Sequence, residues 1–197
     1  MINRNVRIYL LRLLGIACII FSVFYTWNNI DAARTAEKSS QDINQKLQID
    51  QSSKRLLSEN DAMPVSAVSG VDYLGKLTIT SENITLPVAA KYRFEQMSLT
   101  PTRYRGSYKT NDLVICAHNY RYQFDPLRTI PMGEKIEFET VDGKTYSYVI
   151  TNREIIKPTA VEEVIKETAG DTDWDLSLFT CTPSGAARVI IRCRLVA

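Results

Sequence analysis

The stretch LFTCTPSGAARVIIRCRL, residues 178–195, decides the fold and contains the strongest candidate for a reactive site. Two apolar runs flank a short segment with Pro183 and Gly185, which is typical of two strands joined by a tight turn. Cys181 ends the first run and Arg188 begins the second. A tight connection would let both side chains face one groove. Cys181 is then open to two interpretations: it is a nucleophile beside an arginine, or it is a small buried residue at the end of a strand.

Further short apolar runs, separated by turn residues, indicate a mostly β domain from Val71 onward. Its predicted strands are KLTIT (76–80), ITLPV (84–88), DLVICAH (112–118), the hairpin KIEFETVDGKTYSYVITNREII (135–156), DLSLFTC (175–181) and RVIIRCRLV (188–196). Asp142-Gly143 in the hairpin predicts a primed turn with positive φ. Short helices are predicted at 93–97 and 160–169. This set of elements predicts an all-β barrel or sandwich.

The N-terminal thirty residues predict a transmembrane anchor. Arg4, Arg7 and Arg12 precede or interrupt an apolar region that continues to Trp27, and together it reaches the roughly 20 residues that a bilayer requires. Because basic residues favour the cytoplasmic side, the N-terminus is predicted in the cytoplasm and everything after residue 30 outside the cell. A cleaved signal peptide is the alternative, but the span is long and no clear small-residue cleavage site follows it.

The chain is therefore divided into three predicted segments. Residues 1–30 form the cytoplasmic tip and anchor, residues 31–70 a polar stalk or linker, and residues 71–197 the β domain. Residues 31–60 lack Gly and Pro and have sparse helical periodicity, which predicts a helix or stalk. Residues 61–70 contain Pro and Gly and are predicted to be the loop that enters the domain.

Composition limits the chemistry that this chain can perform. The net charge is only +2, so nucleic acid is not predicted as a partner. The chain has one histidine, so any mechanism that needs an imidazole must use His118. The four cysteines are scattered and are predicted to be free thiols. Neither zinc-type ligand spacing nor another cofactor motif is present in the sequence, so no metal and no cofactor are predicted.

His118 ends one apolar strand, as Cys181 ends another, and the ends of separate strands can meet at one rim of a barrel. A thiol near an imidazole is the minimal pair for nucleophilic acyl transfer, and a guanidinium beside them could bind a substrate carbonyl or an oxyanion. The alternatives are a buried cysteine, a surface histidine, and a solvated face that Arg188 shares with Arg192 and Arg194. Cys116 is a rival thiol because it lies two residues before His118.

Four tyrosines lie near the strand that carries His118 in the sequence. They could line a peptide groove or pack at the rim of the barrel. They are Tyr104, Tyr108, Tyr120 and Tyr122.

Three motifs in this sequence resemble those of sortases. NDLVICAHNY (111–120) resembles the strand that ends in the sortase histidine, and LSLFTCTPSGAARVIIRCRL (176–195) resembles the Thr-x-Thr-Cys stretch followed by a short loop and an arginine. KLTITSENITLPV (76–88) resembles the early strand pair. The motifs occur in the sortase order, and the resemblance covers residues 71–197. The sortase subclass is left open.

The resemblance implies a mostly β fold: a closed barrel of about eight strands with one or two short helices, preceded by the transmembrane helix and helical stalk. It implies that Cys181 is the nucleophile, His118 the acid and base, and Arg188 the group that binds the carbonyl or oxyanion. Thr180, Ala117 and Asn119 are implied to contact the substrate.

By the same resemblance, the chain would be a membrane-anchored cysteine transpeptidase of the Gram-positive cell surface. Its substrates would be surface proteins with a Leu-Pro-x-Thr-Gly-like (LPxTG-like) sorting signal, cleaved through a thioacyl enzyme. The acceptor would be an amine of a peptidoglycan precursor or of another protein. A related peptidase that only hydrolyses, and a non-catalytic binding module on the same barrel, are the alternatives.

Overall fold

The N-terminal apolar region and the beginning of the predicted stalk form one helix, α1, over Arg4–Lys46. The computed structural model describes residues 4–47, 55–56, 63–161 and 174–196, and the chain divides into two units, residues 1–35 and 36–197. Helix α1 contains an apolar window with a mean hydropathy of 2.2, none of it buried. By length and composition, this helix fits a single-pass membrane anchor.

The second unit is built mainly from strands. Its one further α-helix among the described residues is α2, Phe94–Met97. Its strands are β1 Arg55–Leu56, β2 Pro64–Val68, β3 Val71–Ile79, β4 Ile84–Ala89, β5 Thr102–Arg105, β6 Leu113–Cys116, β7 Lys135–Thr140, β8 Thr145–Ile156, β9 Leu176–Cys181 and β10 Arg188–Leu195. Single 3₁₀ turns occur at Thr80–Glu82, Asp125–Arg128 and Pro158–Ala160.

Eight of these strands close into a barrel. The order of neighbours is β3-β4-β5-β6-β9-β10-β8-β7, and β7 pairs back onto β3 to complete the ring. The pairs β4–β5 and β6–β9 are parallel, whereas the other pairs are antiparallel. Closure leaves the ring without an unpaired edge. The predicted closed barrel of about eight strands is therefore confirmed.

Alternation along the strands separates two apolar clusters. Inward-facing residues such as Leu77, Ile115 and Leu178 fill the barrel core. Outward-facing residues form a second cluster, here called the outer cluster: Val114, Cys116, Val161, Trp174, Phe179 and Ile190. Strand β6 contributes to both clusters, and all four of its residues are buried. Its near-continuous apolar sequence predicted this burial on both faces.

Three local predictions differ from the structure. Residues 61–70 were expected to be a loop, but β2 lies within them and pairs with β3. Strand β5 was not predicted. In the β7–β8 hairpin Gly143 has positive φ but Asp142 does not, and the N–H of Gly143 donates to the carbonyl of Thr140. The prediction of a primed turn over Asp142-Gly143 was therefore wrong. The helix predicted at 160–169 lies outside the described residues beyond Val161.

The C-terminal end of α1 packs against the barrel. Asn44 Nδ2 donates to the carbonyl of Thr85 at 2.7 Å, and Ser40 Oγ donates to the carbonyl of Leu99 at 3.1 Å. Leu47, directly after the helix, is 2% exposed in an apolar cluster with Tyr73 of β3. Residues 36–47 thus belong to the packed second unit, although they fall within the segment predicted as stalk.

Leu47→Ala tests whether this packing stabilises the barrel. We expect the free energy of unfolding to fall by about 2 kcal/mol, because the substitution removes buried methyl groups and leaves a cavity. The exposed Gln45→Ala is the control and should change it by less than about 0.5 kcal/mol. Urea denaturation of the full chain in detergent, followed by near-ultraviolet circular dichroism, measures both. Equal stability of the two variants would contradict the packing.

Candidate active site

The parallel pairing of β6 with β9 brings His118 and Cys181 to the same edge of the barrel. Cys116, the last residue of β6, lies opposite Phe179 of β9. The two chains stay together beyond this pair: Ala117 N–H donates to the carbonyl of Phe179 at 3.3 Å. Because parallel strands advance in step, two further residues along each chain lead to His118 and Cys181.

Cys181 and Arg188 are direct neighbours across the antiparallel β9–β10 pair. Residues opposite one another in such a pair point to the same face, with Cβ atoms roughly 4.5–5.5 Å apart. The connection between them is closed by two backbone hydrogen bonds, from Thr182 N–H to Ala187 O and from Gly185 N–H to Thr182 O. The tight turn predicted from Pro183 and Gly185 therefore brings the thiol and the guanidinium to one face of the β9–β10 pair.

The guanidinium of Arg188 is partly fixed by its own loop. Its Nη1 donates to the carbonyl of Gly185 at 3.0 Å and to that of Ala187 at 3.1 Å. Within the part of the chain that the structure describes, Nε and Nη2 make no hydrogen bond. A guanidinium held at one nitrogen can present its other N–H groups to a carbonyl oxygen.

Aromatic rings and a hydroxyl surround the imidazole of His118. Tyr120 stacks on it with ring centroids 5.0 Å apart, and Phe94 of α2 approaches edge-on at 5.9 Å. Ser98 Oγ lies 3.5 Å from Nε2. Burial among these groups lowers the pKa of His118 below its usual 6.5, because a charged imidazolium loses hydration there. The imidazole is therefore neutral at pH 7 and able to accept a proton.

The three predicted substrate-contacting residues join the ends of β6 and β9. Thr180 is 1% exposed, and its hydroxyl donates to the carbonyl of Ala117 at 2.9 Å. Ala117 is buried as well. Asn119 Nδ2 donates to the carbonyl of Thr182 at 3.3 Å. These two hydrogen bonds hold the ends of β6 and β9 in register. Contact of Thr180, Ala117 and Asn119 with a substrate stays a prediction.

Cys116 and Cys181 share the outer face of the barrel but differ in exposure. Cys181 is half-buried, whereas Cys116 is 1% exposed in the outer cluster. Burial raises the pKa of the Cys116 thiol to about 12, which keeps it protonated at neutral pH. The rival thiol therefore lacks the thiolate that a nucleophile needs. Cys193 is fully buried in the barrel core.

The structure gives the four tyrosines different positions. Tyr108 is buried in the barrel core and is therefore not available to a groove. Tyr104 packs edge-on against Phe179 in contact with the outer cluster. Tyr120 stacks on His118, and Tyr122 is exposed beside Arg121.

Arg188, Arg192 and Arg194 do not line one solvated face. Arg192 is 4% exposed and pairs with Glu154 at 3.1 Å. Its Nη1 also donates to Ser177 Oγ, and its guanidinium lies over the ring of Trp174. Arg194 is half-exposed.

Three residues at the site were not identified from sequence: Phe94, Ser98 and Gln123. Their contacts with His118 depend on the fold, which brings α2 and the loop after β6 together. The only signal near them was the predicted helix at 93–97.

Among residues 4–47, 63–161 and 174–196, no cluster of three or more His, Cys, Asp or Glu side chains could hold a metal ion.

A thiol, an imidazole and a guanidinium at one edge of a closed β-barrel define a candidate cysteine-enzyme site. The sortase domain model matches residues 77–196, more than half of the chain. The chain therefore belongs to the sortase family. Sequence comparison with curated proteins finds no match.

Solved structures with a similar fold are sortases of several classes. Sortase C of Streptococcus pneumoniae superposes with a TM-score of 0.55 at 17% identity, covering 85% of this chain and 89% of that one. A sortase D5 transpeptidase of Clostridium perfringens gives 0.55 at 16% identity, with coverage of 67% and 83%. Sortase A of Corynebacterium diphtheriae gives 0.53 at 19% identity, with coverage of 64% and 62%. These similarities support the sortase fold and leave the subclass open.

The protonation of His118 is directly measurable because it is the only histidine in the chain. We expect its imidazole resonances in NMR spectra to titrate with a midpoint below 6.5, since burial disfavours the imidazolium. Between that midpoint and pH 6.5 the unfolded chain binds more protons than the folded chain. The free energy of unfolding should therefore fall as the pH is lowered through this range. A midpoint at or above 6.5 would contradict the buried, neutral imidazole.

Proposed function

We propose that this protein is a membrane-anchored cysteine transpeptidase that cleaves an LPxTG-like sorting signal and joins the new carboxyl end to an amine. The observation that carries the proposal is the register: β6 and β9 end side by side, and Cys181 lies opposite Arg188. Membership of the sortase family supports the same reaction class. The residues proposed to act are Cys181, His118 and Arg188.

In the first half-reaction, the neutral imidazole of His118 takes the proton of the Cys181 thiol, and the resulting thiolate attacks the carbonyl carbon of the Thr–Gly peptide bond. The carbonyl oxygen becomes an oxyanion, which accepts hydrogen bonds from the free N–H groups of Arg188. His118, holding a proton as imidazolium, donates it to the departing glycine nitrogen. The C–N bond breaks, the glycine segment leaves as an amine, and the substrate remains bound to Cys181 as a thioester.

In the second half-reaction, an amine attacks the thioester carbonyl. The neutral imidazole of His118 accepts the proton that this amine loses, and the C–S bond breaks. The products are a new amide and the Cys181 thiolate. The lowered pKa of His118 suits this base role, because the imidazole is neutral at pH 7. Water in place of the amine would give hydrolysis and a free acid.

The proposed location is the outer surface of the cell membrane. Arg7 and Arg12 lie at the N-terminal end of α1, which is the end that basic residues keep in the cytoplasm. The β domain would then lie outside, where surface proteins with a C-terminal sorting signal are its proposed substrates. The proposed acceptor is an amine of a peptidoglycan precursor or of another surface protein.

A peptide-adduct experiment tests the proposal. The full chain in detergent is incubated with LPxTG-like peptides, with and without a glycine-type amine, and analysed by mass spectrometry. We expect a thioester adduct on Cys181 and an amide product when the amine is present. Cys181→Ala should abolish both, whereas Cys116→Ala should retain both because that thiol stays protonated. Free acid alone would favour a hydrolase, and no adduct with any peptide would favour a binding module.

Arg188→Ala tests the proposed binding of the oxyanion. We expect kcat to fall by about 10²–10³-fold, the cost of losing one such donor. Arg188→Lys should recover only part of the rate, since an ammonium lacks the planar fork of N–H groups. Arg194→Ala, which removes a half-exposed arginine from the same strand, is the control. Equal rates for Arg188→Ala and Arg194→Ala would remove Arg188 from the mechanism.

A further inference from the structure

Gln123 is a buried polar residue beside His118 that the proposed reaction does not use. Its side chain is 1% exposed. Oε1 accepts a hydrogen bond from the backbone N–H of His118 at 3.1 Å, and Nε2 donates to the carbonyl of Leu99 at 3.3 Å. Both ends of the amide are therefore bound, as a buried polar group requires. One side chain thus links the backbone of His118 to residues 94–99, here called the α2 segment, which consist of α2 and the two residues after it.

That segment carries two of the groups that contact the imidazole. Phe94 begins α2 and meets the ring edge-on, and Ser98 places its hydroxyl near Nε2. Ser98 Oγ also lies 3.3 Å from the carbonyl of Phe94, so the two groups are joined to each other. Leu99 directly follows Ser98. A bond from Gln123 to Leu99 therefore fixes the position of these two groups relative to His118.

The other contacts of Gln123 hold the loop after β6. Gln123 N–H donates to the carbonyl of Tyr120, whose ring stacks on His118. The carbonyl of His118 in turn accepts the N–H of Phe124 at 3.2 Å. Both backbone polar groups of His118 are thus bound by residues 123 and 124. The orientation of the imidazole depends on this small set of bonds.

The Leu99 carbonyl also accepts the hydroxyl of Ser40 from α1. A carbonyl oxygen has two lone pairs, so it can accept from Ser40 and Gln123 at once. The segment that Gln123 binds is therefore itself fixed to the packed end of α1. This gives the amide of Gln123 a rigid partner.

We propose that Gln123 is the positioning residue for His118, holding the imidazole between Tyr120 and the α2 segment in the orientation that proton transfer needs. The catalytic effect of this role rests on the proposed transpeptidase function. Gln123 is buried and bonded at both ends, so it does not touch the substrate. Its loss should change the rate of proton transfer more than the binding of peptide.

Gln123→Met is the main variant because methionine keeps the length of the side chain and removes both hydrogen bonds. Gln123→Asn is the second variant, for use where Gln123→Met does not fold. Asparagine keeps a polar amide, but its side chain is too short to reach both the His118 N–H and the Leu99 carbonyl. Gln96→Met is the matched control. Gln96 is a partly buried glutamine of α2 whose Nε2 donates to Tyr73 and Thr100 rather than to the His118 loop.

The first readout needs no substrate. The imidazole resonances of the single histidine carry ring-current shifts from Tyr120 and Phe94, so they report the position of the ring. Spectra of the folded full chain in detergent are compared at one pH above the titration of His118. We expect these resonances to shift or broaden in Gln123→Met and Gln123→Asn and to stay unchanged in Gln96→Met.

The second readout is kinetic. We expect kcat to fall by about 10- to 100-fold in the Gln123 variants, the cost of a displacement near 1 Å. KM should stay within about two-fold, since peptide binding is not altered. Unchanged His118 resonances in a folded Gln123 variant would overturn the proposal, as would equal effects of Gln123→Met and Gln96→Met. A wild-type chain without activity would count against the proposed function alone, because the NMR comparison still decides the role of Gln123.

Discussion

The parallel pairing of β6 with β9 is the constraint on which the candidate site depends. Parallel strands run in the same direction, so their C-terminal ends reach the same edge of the sheet. The pair Cys116–Phe179 sets the register of the two strands. A hydrogen bond from the Thr180 hydroxyl to the Ala117 carbonyl continues this register beyond the end of β6. An imidazole and a thiol that are distant in the sequence reach the same edge of the barrel in this way, and the short β9–β10 connection adds the guanidinium.

Burial then assigns different roles to chemically identical side chains. Cys116 and Cys181 lie on the same face, but only Cys181 is open to solvent, and the deeper thiol stays protonated. The arginines of β10 separate in the same way. Arg188 stands at the rim, whereas Arg192 is enclosed by Glu154, Ser177 and Trp174, which compensate much of the cost of burying its charge. The groups that we propose to react are those that the barrel leaves at its edge.

Most of the barrel could be predicted from sequence because its long strands have strong apolar patterns. Strand β5 was missed because TRYR has no apolar alternation and pairs along its length only with β6. The His, Cys and Arg of the site follow from motifs at strand ends. Gln123 and Ser98 do not, because a polar residue shows its role only when its tertiary partners are known. The burial of Arg192 was hidden for the same reason.

The most direct test of the central claim is the pH dependence of Cys181 alkylation, measured in the full chain and in the His118→Ala variant. Cys18→Ala removes the exposed helix thiol from both. If the two strand ends lie side by side, the charge of the imidazolium changes the reactivity of the thiol, and the profile contains an inflection at the pKa of His118 that His118→Ala abolishes. Superimposable profiles in the two proteins would contradict the placement of His118 beside Cys181.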